Sequence, residues 1–278
     1  MLPSGHSVVV RVVKVKSALV RSRLFPYCVN PYAGCVHGCV YCYARFATRF
    51  SHVGEAWGRY VDVRINVPEI LERQLECAPR GTVYVSSVCD AWQPVEQTYS
   101  ITRRCLQLLV ESGFPLFLQT KSALIGRDLD ILEGRHNVTL GVTLTSMSER
   151  QAGVFEPGAS SPSERLRVLR LARECGLRTF VFLGPLLPGL SDRGEGLVRL
   201  FQHVAAASPD FLFVDRLNRR AGMWKDTRAA VEACAPDLVA EYRRVLFNTD
   251  PSYEVELRSR VQQVADSCGL GGRIEWCF

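Results

Sequence analysis

Residues 35–42 read CVHGCVYC, a run in which three cysteines follow the spacing C-x3-C-x2-C. Cubic clusters of four irons and four sulfides are held by cysteine thiolates. Three thiols on one short loop, from Cys35, Cys39 and Cys42, can take three irons and leave the fourth iron open to another ligand. Gly34 and Gly38 favour such a loop, because a backbone without Cβ can wind tightly around an inorganic core. The run therefore predicts an iron–sulfur site around which the rest of the fold is arranged.

Two other interpretations of the same run are open. A zinc site would need a fourth ligand, and His37 is available by type. Its ring, however, lies between two of the cysteines and would struggle to complete a tetrahedron around the same ion. Three unrelated buried cysteines are the other alternative. The glycines, and the placement of the run before the first predicted helix, favour the cluster over both.

Around this loop, short β-branched or aromatic runs alternate with amphipathic helical patterns. Strands are predicted over Thr82–Val88, Pro115–Lys121, Val138–Thr145, Thr179–Leu187 and Phe211–Leu217. Helices are predicted over Ser100–Ser112, Asp128–Leu132, Ser163–Cys175 and Gly194–Ala207, and Arg64–Glu76 adds a short strand and a helix. Such alternation is typical of a parallel sheet with crossover helices. Roughly six units fit before residue 218, fewer than the eight of a closed barrel. We therefore expect an α/β fold with an open or partial barrel.

The ends of the chain read as extensions of this core. We expect an N-terminal extension over residues 1–26, a core over 27–218, and a helical extension over 219–278 packed on the core. Within the last of these, Thr227–Phe247 and Ser252–Cys268 read as two helices, and Ile274–Cys277 as a short strand or tail. No change in composition marks a second domain.

Composition limits the location and the partners. The 278 residues are 47% apolar, with no run of about 18 apolar residues, so we expect no membrane span. The segment Met1–Val13 lacks the pattern of a secretory signal, which favours the cytoplasm. The net charge of +6 permits binding to nucleic acid without requiring it. The chain has eleven cysteines, and because this count is not even, the cysteines cannot all be paired in a disulfide scaffold. Three of them, Cys234, Cys268 and Cys277, lack the tight pairing that an auxiliary cluster would favour.

The run Asn30–Arg45 (NPYAGCVHGCVYCYAR) resembles the signature loop of radical S-adenosylmethionine (SAM) enzymes, and in particular the spore photoproduct lyase-like (DNA repair photolyase-like) family. Further stretches that resemble this family are SSVCDAWQPVEQTYSITRRCL, LQTKSALIGRDLDIL, FEPGASSPSERL and GPLLPGLSD. The resemblance implies a partial (β/α)6 barrel of the TIM type with a 4Fe-4S cluster at its mouth. It also implies that SAM ligates the open iron and is cleaved reductively to a 5′-deoxyadenosyl radical, which abstracts hydrogen from a substrate. The electron would come from a donor such as ferredoxin or flavodoxin.

The same resemblance suggests roles for individual residues. Tyr41 occupies the aromatic position that packs near adenine, and Lys121 would reach the SAM carboxylate from the end of a strand. Ser146 is a weaker candidate for a polar contact with SAM, and Asp90 for ribose or substrate. Cys89 is the candidate hydrogen donor to a product radical, because a thiol S–H bond is weak. Three of these residues have a simpler interpretation. Tyr41 could be a surface aromatic on a loop, Lys121 a solvated lysine at the start of a loop, and Cys89 a thiol packed in the core.

Three further residues complete the expected site. Tyr43 directly follows the cysteine run and is expected to face the cavity. Glu156 and Arg165 belong to a stretch shared with the family, and either order a loop over SAM or shape a turn and begin the next helix.

Three functions follow for testing. The leading hypothesis is a radical SAM enzyme that acts on a nucleotide of DNA or RNA. The segment after about residue 215 does not resemble the lyase, and no dense basic stripe is visible, so lyase activity itself does not follow. The first alternative is a radical SAM enzyme for a small molecule or peptide. The more distant alternative is a non-catalytic metal-binding protein.

Overall fold

The computed structural model describes residues 8–48, 50–248 and 252–278. Within these ranges the strands are β1 (Val9–Val13), β2 (Leu19–Arg21), β3 (Tyr27–Val29), β4 (Tyr32–Ala33), β5 (Tyr60–Arg64), β6 (Val83–Val85), β7 (Leu116–Thr120), β8 (Val138–Leu144), β9 (Arg178–Leu186), β10 (Phe211–Arg216) and β11 (Ile274–Trp276). The helices are α1 (Val67–Cys77), α2 (Glu96–Tyr99), α3 (Ile101–Glu111), α4 (Leu129–Leu132), α5 (Glu149–Phe155), α6 (Pro162–Glu174), α7 (Gly194–Ala207), α8 (Trp224–Cys234), α9 (Val239–Phe247) and α10 (Ser252–Ser267). Short 3-10 helices span Tyr43–Thr48, Ala123–Asp128, Pro236–Leu238 and Gly271–Arg273.

The main sheet has the order β11-β10-β9-β8-β7-β6-β3-β2. All neighbours from β3 to β11 pair in parallel, and β2 alone runs antiparallel, beside β3. The six strands β3 and β6–β10 are each followed by helical chain, as a (β/α)6 unit requires. Since β2 and β11 are the two edges of this order, the barrel is open. The expected α/β partial (β/α)6 barrel is confirmed.

The composition of the strands explains why the sheet is covered on both faces. In β8 the residues VTLGVTL are buried at six of seven positions, which is typical of a parallel strand packed between helices and the barrel interior. Helix α6 begins with a capping box, in which Ser161 and Glu164 bond each other's backbone N–H groups. The start of α6 places Arg165 beneath the barrel mouth, a position that matters for the site.

Strand β6 is shorter than the sequence predicts. It ends at Val85, whereas the apolar run suggested a strand to Val88. The amide oxygen Oδ1 of Asn30 accepts hydrogen bonds from the backbone N–H groups of Ser87 (2.9 Å) and Val88 (3.2 Å). These N–H groups therefore bond a side chain instead of a neighbouring strand, and the chain turns into the barrel mouth.

The two ends of the chain are tied to the core by strands. β1 pairs in parallel with β5, and β4 pairs antiparallel with the other edge of β5, which forms a second, three-stranded sheet. At the other end β11 pairs in parallel with β10, with Leu212 opposite Ile274. The segment 219–278, for which we expected a helical extension, thus also adds a strand to the main sheet.

One helix prediction near the C-terminus is wrong. The run Thr227–Phe247 was expected to form a single helix, but it is divided into α8, a 3-10 turn and α9. Pro236 causes the break because it has no N–H to donate and its ring clashes with the preceding turn of a helix. Ala235, just before it, has an extended φ of −159°. In the described parts of the chain, no helix is both long and apolar enough to cross a membrane.

Candidate functional site

A cavity open to solvent lies at the C-terminal ends of the parallel strands. Its walls include Cys35, Cys39 and Cys42 from the loop after β4. Facing them are residues 86–90 after β6, residues 119–121 at the end of β7, and Thr143 of β8. Ligands bind at this edge of parallel α/β sheets because the loops and strand ends converge there.

Cys35 and Cys39 are buried, and Cys42 is half-buried. Burial, reinforced by the charge of Asp90, raises the pKa of Cys35 well above its ordinary value. Burial likewise raises the pKa of Cys39 to about 12 and raises that of Cys42. Thiolates are the form that binds iron or zinc, so binding of the metal and loss of the thiol protons are coupled.

The three thiols of the loop line the same cavity. Zinc ligated by sulfur at about 2.3 Å would bring its sulfur ligands within about 3.8 Å of one another. Among the residues that the structure describes, no group of three His, Cys, Asp or Glu side chains converges in that way. A cluster takes each thiolate on a different iron, so its ligands lie farther apart around one cavity. Three thiols of one loop on one cavity wall are a donor set that fits a cluster, in which each thiolate binds its own iron. Cys234, Cys268 and Cys277 likewise form no such group.

One buried glutamine supports the front of the cysteine loop. Gln93, which is fully buried, accepts a hydrogen bond from the backbone N–H of Val36 (2.9 Å) and donates one to the carbonyl of Gly34 (3.2 Å). Gly34 has a φ of +80°, and a Cβ there would lie 2.7 Å from the carbonyl oxygen of Tyr60. The glycine is required both by its conformation and by this close approach.

Residues 155–160, which we call the strap, cross the other side of the loop. The carbonyl of Phe155 accepts from the N–H of Val40 (2.9 Å), and the N–H of Gly158 donates to the carbonyl of His37 (2.9 Å). A Cβ at Gly158 would lie only 2.2 Å from the carbonyl oxygen of Val36, so only glycine fits. Three backbone positions of the cysteine loop are thus in contact with the strap.

The strap carries a buried ion pair into the same region. Glu156 accepts a hydrogen bond from the Tyr41 hydroxyl and lies 2.6 Å from Nη2 of Arg165, whose side chain is 1% exposed. Nη1 of Arg165 also donates to the carbonyl of Thr143 (2.9 Å). Burial acts to raise the pKa of Glu156, but the charges of Arg165 and Lys121 outweigh it and hold the pKa below its ordinary value. Glu156 is therefore a carboxylate that links the cysteine loop to β8.

Lys121 and Asp90 occupy the places that the sequence suggested, with different contacts. Lys121 lines the cavity, and its Nζ lies 5.8 Å from the centre of the Tyr41 ring. Burial acts to lower the pKa of Lys121, but Cys39 and Glu156 outweigh it and raise the pKa. The Asp90 carboxylate accepts from the backbone N–H of Lys121 (2.8 Å) and the hydroxyl of Thr120 (2.7 Å). Asp90 therefore holds the end of β7 as well as lining the cavity.

Cys89 lines the cavity, whereas Ser146 does not. The Cys89 sulfur lies 2.8 Å from Oγ of Ser86, and burial raises the pKa of the thiol to about 12. The buried Ser146 hydroxyl donates to Gln151 (2.5 Å) and accepts from the N–H of Ser148 (3.0 Å). Ser146 thus helps to begin α5, so the structure does not support a contact with a ligand in the cavity.

The two candidate tyrosines differ in position. Tyr41 is buried behind the cavity wall, with its hydroxyl on Glu156. Tyr43 lines the cavity, is 48% exposed, and donates a hydrogen bond to the carbonyl of Ser87 (2.6 Å). Tyr43 therefore stands at the entrance, as expected.

Sequence reasoning missed the floor of the cavity. The Tyr84 hydroxyl donates to Oε1 of Gln119 (3.0 Å), and the Gln119 amide donates to Oγ1 of Thr143 (3.0 Å). Below them the ring of Phe117 packs against Tyr84 and Phe180, with centroid distances of 5.6 and 4.6 Å. Gln119 was the available signal, since it is a polar residue within an otherwise apolar strand.

Fold and site together define an open parallel α/β barrel with a thiol-lined cofactor cavity at its mouth. The sequence profile of the radical SAM superfamily matches residues 29–201. The match covers more than half of the chain, and the chain belongs to the radical SAM superfamily. The expected family and the expectation of an enzyme are confirmed.

Individual relatives agree with this assignment. An uncharacterized protein of Mycobacterium tuberculosis is 31% identical over 258 residues, which are 89% of this chain and 76% of that protein. A second uncharacterized protein, from Methanocaldococcus jannaschii, is 32% identical over 166 residues, but the match spans only 62% of its length. A radical SAM Nalpha-GlyT isomerase of Pseudomonas phage M6 is 25% identical over 66% of this chain and 38% of its own.

Among solved structures, spore photoproduct lyase complexed with a dinucleoside spore photoproduct superposes with a TM-score of 0.69. The superposition covers 97% of this chain and 82% of the lyase at 16% identity. At that identity the likeness shows the fold, including the open barrel and its C-terminal segment.

Proposed function

We propose that this protein holds a 4Fe-4S cluster on Cys35, Cys39 and Cys42 and uses it with SAM to abstract hydrogen from a substrate. The observation that carries the proposal is that all three thiols and the Lys121 ammonium face one cavity at the barrel mouth. When bound, the cluster and SAM supply a strongly oxidising carbon radical, and the protein supplies position and exclusion of water.

Lys121 and its neighbours are suited to hold SAM. Lys121 is the one Lys or Arg among the described residues that line the cavity, so it is the partner available to the SAM carboxylate. Asp90 fixes the backbone at Lys121, and Glu156 with Tyr41 fixes the loop opposite. These contacts hold the ammonium and the thiols at a constant separation, as a preorganised site requires.

Cys89 is suited to return a hydrogen atom to a substrate radical. Because burial raises the pKa of its thiol to about 12, the sulfur carries its proton at neutral pH. A thiolate has no hydrogen atom to give, so this protonation state is the one that the role requires. Donation breaks the S–H bond, forms a C–H bond on the substrate, and leaves a sulfur-centred radical on Cys89. The hydrogen that Cys89 returns would replace the one that the substrate loses when the cluster and SAM are bound.

A nucleotide presented from outside is the substrate class that we favour. The cavity floor is closed by Tyr84, Gln119 and Thr143 and by the rings beneath them, so a substrate must enter from the mouth. Enzymes that act on a base within a nucleic acid extrude that base into a pocket that opens to the surface. The lyase of the same fold is seen with a dinucleoside, which supports this class. The electron would come from a small redox protein such as ferredoxin or flavodoxin.

Anaerobic reconstitution followed by reduction with dithionite tests the proposal. Cleavage of SAM to 5′-deoxyadenosine is measured by chromatography for the wild type and for Cys35→Ala, Cys39→Ala and Cys42→Ala. Cys77→Ala is the matched control, since Cys77 is exposed and far from the loop in sequence. We expect cleavage in the wild type and the control, and none in the three loop variants. Cleavage that persists in a loop variant would contradict the proposed ligand set.

A further inference from the structure

Two exposed aromatic rings stand at the entrance of the cavity. Tyr43 is 48% exposed and Phe46 is 55% exposed, and both belong to the 3-10 helix that follows the last cysteine of the loop. Their rings are 6.4 Å apart between centroids and nearly parallel, at an angle of 26°. Adjacent exposed rings mark interaction sites more often than isolated ones do, and Tyr43 of this pair lines the cavity.

Cations and a third ring extend this surface on the C-terminal side. Arg219 lies with its guanidinium carbon 4.4 Å from the centre of the Phe247 ring, which is 40% exposed. Arg220 is exposed and lies within electrostatic range of Tyr43. We call Tyr43, Phe46, Arg219, Arg220 and Phe247 the rim patch.

Arg45 connects the 3-10 helix that carries Tyr43 and Phe46 to the loop after β10 that carries Arg219 and Arg220. Its Nη1 lies 2.6 Å from Oδ2 of Asp226 and 3.4 Å from the carbonyl of Gly222. The same guanidinium donates from Nη2 to the carbonyl of Val40 in the cysteine loop (2.9 Å). The 3-10 helix, the loop after β10 and the start of α8 are therefore fixed relative to the cluster loop.

Both charged residues of the rim patch itself are cations. Arg219 and Arg220 are both exposed, and in the described part of the chain neither forms an ion pair. Of the two nearby carboxylates, Asp226 is paired with Arg45. Half-buried Asp215, within electrostatic range of Arg220, accepts hydrogen bonds from the backbone N–H of Arg216 and the amide of Asn218. Flat rings interleaved with unpaired guanidinium groups match the bases and phosphates of an unstacked nucleic-acid strand, which stacks on the rings and neutralises the cations.

We propose that the rim patch binds a single-stranded stretch of nucleic acid and feeds one nucleotide into the cavity. This inference rests on the proposed function and adds the surface and the strandedness of the substrate. Two of its elements, Arg219–Arg220 and Phe247, lie in the part of the chain where the sequence does not resemble the lyase. The proposal therefore concerns recognition by this chain's own C-terminal segment.

The test is fluorescence anisotropy with labelled 12-nucleotide single strands of DNA and of RNA, and with a DNA duplex of the same sequence. The variants are Phe46→Ala, Phe46→Leu, and Arg219→Gln with Arg220→Gln. The matched control is Arg167→Gln with Arg170→Gln, which removes the same charge from exposed positions on α6. Circular dichroism verifies that each variant is folded, and SAM cleavage with dithionite is measured in parallel.

We expect a single strand to bind more tightly than the duplex, and the DNA and RNA arms to identify the natural sugar. Loss of a stacked ring in Phe46→Ala should weaken binding by about 5- to 150-fold, with partial recovery in Phe46→Leu. The double arginine variant should flatten the slope of log K against log salt by about 1.4, or 0.7 for each lost phosphate contact. The control double variant should change neither the affinity for the single strand nor the slope of log K against log salt.

Two results would overturn the inference. One is equal weakening by the control pair, which would show that only net charge matters. The other is the absence of single-strand binding by a folded, iron-loaded wild type that cleaves SAM, because the proposed chemistry would then stand without this surface. A protein that binds the strand as expected but never cleaves SAM would instead contradict the proposed function alone.

Discussion

Replacing Glu156 with glutamine perturbs the buried ion pair beneath the cysteine loop. The change removes the anion of Arg165, a side chain that is 1% exposed, and leaves its guanidinium close to the Lys121 ammonium. Breaking a buried pair from one side costs about 3–5 kcal/mol, because the remaining charge stays desolvated and unpaired. For a chain of this size we expect the melting temperature to fall by about 6–20 °C.

The assay is thermal unfolding of the metal-free protein by circular dichroism, so the result does not depend on the cluster. Glu149→Gln is the matched control, since Glu149 is an exposed residue of α5 whose contact is the Ser163 hydroxyl. Its change should lie within about 0.5 kcal/mol. The double variant Glu156→Gln with Arg165→Met should recover at least half of the loss, because neither charge is then buried alone. A Glu156→Gln protein as stable as the control would refute this reasoning.

Three further predictions concern the same site. Gly158→Ala should lower iron loading by at least half, because its Cβ would lie 2.2 Å from the Val36 carbonyl oxygen. The control Gly153→Ala has open space around its Cβ and should load normally. Equal iron loading in the two variants would show that the strap does not support the cysteine loop. Lys121→Met should weaken SAM binding in equilibrium dialysis by about 10- to 150-fold, the equivalent of one charged hydrogen bond, and a change below twofold would remove Lys121 from the site. Cys89→Ser should retain the iron content of the wild type, and a loss of iron would make Cys89 a ligand instead of a donor.

Much of the site could be predicted because its determinants are local in sequence. The spacing of Cys35, Cys39 and Cys42 and the adjacent glycines indicate the loop, and the β–α order indicates the barrel edge to which it belongs. The end of β7 was predictable in the same way, because Lys121 ends the predicted strand and lines the cavity.

The contacts that hold the loop could not be predicted, because they join distant positions. Tyr41 and Glu156 are 115 residues apart, and no spacing rule indicates that they meet. Ser146 shows the opposite limit. It lies two residues beyond the end of β8, and its hydroxyl bonds Gln151 and the backbone N–H of Ser148 at the start of α5. Proximity to a strand end was therefore a weak guide to a place in the cavity.

The central claim is that three thiols of one loop hold a cluster with an open iron. It is tested most directly by iron and sulfide analysis together with electron paramagnetic resonance of the reduced protein, with and without SAM. We predict about four irons and four sulfides per chain, a signal that changes when SAM is added, and loss of both metal and signal in the Cys35→Ala, Cys39→Ala and Cys42→Ala triple variant. One zinc per chain, or iron that remains in the triple variant, would contradict the account.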